Sequence, residues 1–92
     1  MALMSTITVR KVSEGAYEVT VEGATTTSHH VTVAPDYHQK LTGGRASPEI
    51  LVERSFEFLL ERESNTSILS SFELPVIGRY FPEYERDIAR RL

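Results

Sequence analysis

Polar and apolar residues alternate without interruption over residues 17–22, with Tyr17, Val19 and Val21 on one side and Glu18, Thr20 and Glu22 on the other. A period of two marks a strand with one face in the core and one in water. Residues 6–10 alternate in the same way. Residues 25–33 are rich in β-branched side chains, and Thr27, His29, Val31 and Val33 share a face. Ser13-Glu14-Gly15 and Gly23-Ala24 supply turn chemistry between these runs. The pattern predicts a three-stranded antiparallel β-meander with two open strand edges, either of which could pair with another copy.

From residue 35 the period changes. Pro35 opens one or two helical turns, which Gly43-Gly44 would end. Ser47 reads as an N-cap, Pro48 as the first helical residue, and Glu49 as an acid suited to the helix dipole. That helix is expected to run to about residue 62. At 100° per residue, Leu51, Val52, Ser55, Phe56, Phe58, Leu59 and Leu60 fill an arc of roughly 200°, about twice what one sheet can cover. The remainder of the chain or a second subunit is expected to cover the rest. Asn65-Thr66-Ser67 resembles another cap, predicting a short helix through Ile68, Leu69 and Phe72. Leu74-Pro75 restarts the chain, and Phe81-Pro82 breaks it, because a residue before proline is steered from the helical region. A last helix is expected over residues 83–92, with Tyr84, Ile88 and Leu92 in one row. The predicted core holds Val19, Val21, Val31, Val33, Leu51, Val52, Phe56, Leu59, Ile68, Leu69, Phe72 and Ile77.

Composition narrows the class. A chain of 92 residues suits one domain, here a single α+β unit over 1–92, mainly strand over 1–45 and helical over 46–92. Without cysteine there is no disulfide scaffold, thiolate metal site or cysteine nucleophile. The opening MALMSTITVRK lacks a basic segment followed by a long apolar core, so no secretion signal is read there and a cytoplasmic location is expected. No apolar run is long enough to span a membrane. The net charge of −3 argues against broad nucleic-acid binding, and the whole deficit lies in the second half.

Several residue groups carry candidate chemistry. His30, Asp36 and His38 are the residue types of a metal site or a general base. His29 and His30 cannot both ligate one ion, because strand neighbours point to opposite faces. No recognised ligand spacing joins the rest, and solvated or hydrogen-bonded histidine is the plainer reading. Lys40-Leu41-Thr42-Gly43-Gly44-Arg45 lacks the phosphate-loop frame, and the following helix begins with proline and glutamate. Glu49, Glu53, Glu57 and Glu61 recur every four residues, an acidic ladder that Arg54 relieves only in part. It is either a docking ridge for a basic protein or a solvated face. Arg86, Arg90 and Arg91 form a basic cluster at a helix end, suited to the dipole or to an acidic partner, including the ladder of a neighbouring copy. Phe72, Tyr80, Phe81 and Tyr84 either cover the central helix or leave part of themselves exposed for a partner. No nucleophile motif appears, and no cofactor is expected.

The segments His30-Val31-Thr32-Val33, Ser47-Pro48-Glu49-Ile50-Leu51-Val52-Glu53, Phe56-Glu57-Phe58-Leu59-Leu60-Glu61-Arg62-Glu63, Ser67-Ile68-Leu69 and Arg79-Tyr80-Phe81-Pro82-Glu83-Tyr84-Glu85 together resemble a family of small uncharacterised bacterial proteins. The resemblance covers about two-thirds of the chain and implies no activity. In arrangement alone the chain is similar to HicB-type antitoxins, which lay a helix on a three-stranded sheet. It departs from them in lacking their glycine- and proline-rich strand segment and any DNA-binding pattern in its tail. The expectation is a non-enzymatic interaction or regulatory module that forms a homodimer. The alternatives are a HicB-like, nucleic-acid-linked regulator and a small metal-dependent enzyme.

Overall fold

The computed structural model describes residues 6–92, so part of the opening segment read for a secretion signal lies outside the described residues. Strands β1 (Thr6–Ser13), β2 (Ala16–Glu22) and β3 (Thr26–Thr32) form the antiparallel meander that the alternation predicts. Ile7 stands opposite Val21 and Val9 opposite Val19, which puts four apolar side chains on one face. On the other face Arg10 reaches the carboxylate of Glu18, its cross-strand neighbour, at 2.9 Å. Gly15 closes the first hairpin at φ 72°, and its Cβ position would lie 3.2 Å from the Val33 carbonyl oxygen. A side chain there would be both strained and crowded.

Two helices follow. Helix α1 (Pro35–Thr42) ends on Gly43, whose left-handed conformation returns its N–H to the Gln39 carbonyl. Helix α2 (Pro48–Leu60) starts where the cap pattern places it, with the Ser47 hydroxyl accepting the Ile50 N–H.

The chain after α2 departs from expectation. A single 3₁₀ turn, Asn65–Ser67, replaces the predicted helix, and the chain then extends into β4 (Ser71–Glu73). Strand β4 lies parallel to β3, with Phe72 beside Val31, and makes the sheet four-stranded in the order β1-β2-β3-β4. The reason is backbone satisfaction. The His30 N–H donates to the Ser70 carbonyl and the Leu74 N–H to the Thr32 carbonyl, so β4 closes the β3 edge that the meander alone leaves open. An extended backbone turns alternate side chains outward. Leu69, placed in the core by the sequence, is accordingly 47% exposed, and Phe72 is only half-buried. Helices α3 (Val76–Tyr80) and α4 (Tyr84–Arg90) complete the chain on either side of the Phe81-Pro82 break.

One core joins these elements, and it includes Tyr17, Leu41, Phe58, Leu74, Tyr84 and Ile88 beyond the residues predicted. Helix α2 lies in its middle. Phe56 packs on the sheet side, 5.3 Å from the His29 ring and 6.1 Å from Phe72. Phe58 packs on the other side, edge-to-face with Tyr84 at 5.3 Å and with Phe81 at 5.9 Å. The wide apolar arc is thus covered within one chain.

Two substitutions separate core from surface here. Phe58→Ala is expected to cost about 3–5 kcal/mol, and Leu69→Ala no more than about 0.5 kcal/mol, in urea unfolding monitored by circular dichroism.

Candidate functional site

Leu59, Ile68, Phe72 and Ile77 form the floor of an open groove of about 190 Å³ between the end of α2, β4 and α3. Leu69 and Tyr80 stand at its rim, and Tyr80 is 66% exposed. Glu63 is the one ionisable carboxylate in a wall otherwise built mainly of apolar side chains. The groove exists because three constraints stop the local chain from closing on itself. Proline at 75 and 82 keeps α3 to five residues, too short to lay a continuous apolar row. Strand β4 holds Phe72 at the sheet edge.

The third constraint is a chain of hydrogen bonds that pins residues 65–69 to the sheet. The Asn65 amide donates to the carbonyl of Thr25 at 2.7 Å and to the Thr27 hydroxyl at 3.1 Å. Thr27 and His29 Nε2 are 2.9 Å apart, and His29 Nδ1 lies 2.7 Å from the Leu69 carbonyl. A carbonyl can only accept, so Nδ1 carries a proton and donates to Leu69, while Nε2 shares a hydrogen bond with the Thr27 hydroxyl. His29 is therefore a buried structural residue that holds the wall of the groove.

The candidates His30, Asp36 and His38 fall in three separate places. His30 is exposed on β3, opposite Glu18, and Asp36 is exposed in the first turn of α1. His38 donates from Nε2 to the Ala46 carbonyl and so ties the α1–α2 connection. Thr42 reinforces that knot, donating to the His38 carbonyl and accepting from the Gly44 N–H. Among the described residues no three His, Asp or Glu side chains gather closely enough to hold a metal ion.

Glu53, Glu57 and Glu61 of the acidic ladder meet arginines of the same chain, whereas Glu49 stands in no ion pair among the described residues. Arg54 pairs with Glu57 at 3.0 Å and approaches Glu53 at 3.8 Å. Arg91 grips Glu61 with two bonds of 2.7 and 2.8 Å and also reaches Asp87 at 3.3 Å. The basic tail thus meets the ladder of its own chain. The Arg91 hydrogen bond holds the Glu61 carboxyl below the usual carboxylate range, and Glu61 in return raises the guanidinium further. Beside this pair the Arg62 guanidinium lies 3.6 Å above the Phe58 ring and 3.1 Å from Glu83. Arg86 and Arg90 remain exposed. Of the charged sequence candidates, then, only Glu61 and Arg91 are brought together, and they bind each other.

The features that the sequence reading missed are the groove and its rim. The sequence marks Tyr80 and Phe72 as aromatic, but nothing in their spacing says which is exposed. No family model, curated protein or solved structure matches this chain.

Two tyrosines join the helices to one another. Ser55 donates to the Leu51 carbonyl, so the buried Tyr84 hydroxyl donates its proton to Ser55 Oγ at 2.6 Å. Tyr37 donates to Glu85 at 2.9 Å. Burial, first of all, pushes both phenols well above the ordinary tyrosine value. The folded chain therefore keeps protons that the unfolded chain releases above about pH 10. Stability should be intact below that value and fall as pH rises past it towards the folded-state values. Tyr84→Phe should flatten that fall in unfolding curves measured at alkaline pH.

Proposed function

We propose that this protein is a non-enzymatic interaction module with a regulatory role in the bacterial cytoplasm, that it works as a homodimer, and that the groove is its partner-binding surface. The groove carries the reading. An apolar concavity rimmed by exposed Leu69 and Tyr80 is surface that a folded chain does not usually leave in water without use. Its single carboxylate, Glu63, suits a partner that presents a basic residue beside an apolar one. Nothing comparable supports catalysis: the histidines either bond to backbone or stand alone.

The homodimer rests on a strand edge rather than on the apolar arc of α2. The arc of α2 is covered by α4, but the outer edge of β1 has no strand beside it among the described residues. Among the described residues no helix is long and apolar enough to cross a membrane, which accords with the proposed setting. A HicB-like regulator would have to rely on Arg86 and Arg90, since Arg91 is held by Glu61 and Asp87. A metal-dependent enzyme at His30, Asp36 and His38 lacks a converging ligand set among the described residues.

The test uses the intact protein and two rim variants, Leu69→Asp and Tyr80→Asp, as bait for proteins of its source cell. Both variants should keep the wild-type melting temperature to within a few degrees, as surface changes do. At least one protein retained by the wild type should be lost by both. Identical retained sets for all three baits would overturn the groove as the binding surface.

A further inference from the structure

We infer that two copies of this chain join edge to edge, β1 against β1, in an antiparallel register centred on Thr8. This rests on the homodimer reading above and specifies its interface. The starting observation is uneven burial along one face. Ile7 and Val9 face the core beside Val21 and Val19, and α2 is the helix that lies closest to β1. Yet Val19 and Val21 are fully buried, while Ile7 and Val9 are only half-buried. Their outer side is open because β1 is the end strand of the sheet.

The two ends of β1 differ as edges. Arg10 and Lys11 are charged, and the pairing with β2 shifts register between Lys11 and Ser13, which are devices that discourage further strand addition. Residues 6–9, Thr-Ile-Thr-Val, carry no charge, proline or register shift. The other end strand, β4, has three residues and is too short to support a stable seam.

Side-chain rules then select the register. Residues directly opposite in a sheet share a face, so Ile7 must meet an odd-numbered residue or the core face of one copy would continue into the solvent face of the other. Centring the two-fold axis on Arg10 would oppose two arginines. Centring it on Val9 would set Lys11 against Ile7 on the core face, and centring it on Ile7 would pair only residues 6–8 of the described strand, where Thr8 as centre pairs residues 6–10. Centring it on Thr8 pairs Ile7 with the second copy's Val9 twice over, Thr8 with itself, and Arg10 with Thr6. Apolar and β-branched pairs of this kind are favourable, and no like charges meet. The result is one continuous sheet of eight strands with both core faces on the same side.

The experiment is sedimentation velocity over a wide concentration range on the wild type, Thr8→Lys, Thr8→Glu and the control Thr20→Lys. Thr8 is exposed and Thr20 is its neighbour on β2, so the variants leave the core intact, which circular dichroism verifies. The wild type should be a dimer. Each Thr8 variant should raise the dimer dissociation constant several-fold, up to roughly tenfold, since like charges then meet at the axis. An equal mixture of Thr8→Lys and Thr8→Glu should restore the dimer as a heterodimer, counted by native mass spectrometry, and Thr20→Lys should match the wild type. If the Thr8 variants dimerise as the wild type does, or Thr20→Lys weakens the dimer equally, the register is wrong and the homodimer stands. A monomeric wild type overturns both.

Discussion

The two-sided burial of α2 is the constraint on which the rest of this structure depends. Its sheet side carries Phe56, and its other side carries Phe58 and Ser55, so neither face is left for water. Burying each phenylalanine contributes about 2–3 kcal/mol from apolar area alone, and both faces must be filled to collect it. A sheet cannot do that. Helix α4 is therefore obligatory, and it brings Tyr84, the one buried hydroxyl positioned to satisfy Ser55.

The charged residues follow from the same packing. With Phe58 under α4, the guanidinium groups of Arg62 and Arg91 lie over its ring and take the carboxylates of Glu61, Glu83 and Asp87. Isolated surface ion pairs contribute little, but a network placed over a buried ring is held by packing as well as by charge. This is why Glu61 of the ladder and Arg91 of the arginine tail, remote in the chain, bind each other once folded, while Arg86 and Arg90 stay exposed. Apolar surface is instead left at the groove beside β4 and along the outer edge of β1.

Much of the fold was legible because it rests on local rules. Alternation located the meander, and Ser47, Pro48 and Gly43 located helix boundaries that the structure reproduces closely. Strand β4 was not legible. Three residues carry too little periodicity to read, and its extended form is set by the β3 edge it satisfies rather than by Ser71, Phe72 and Glu73 themselves. His29 was partly legible: its inward direction followed from the strand, but its partners lie forty residues away at Leu69 and two away at Thr27.

Sequence alone determined the α+β class, the order of elements from β1 to α2, and the fact that α2 needed cover on both sides. These depend on side-chain period and cap chemistry, which act over a few residues. Tertiary structure decided what supplied the cover, which candidates were consumed by one another, and where apolar surface remained exposed. Those outcomes depend on distances between residues remote in the chain, such as Arg91 to Glu61 and Tyr84 to Ser55. No local pattern encodes such a distance, because it is set by how all the elements pack at once.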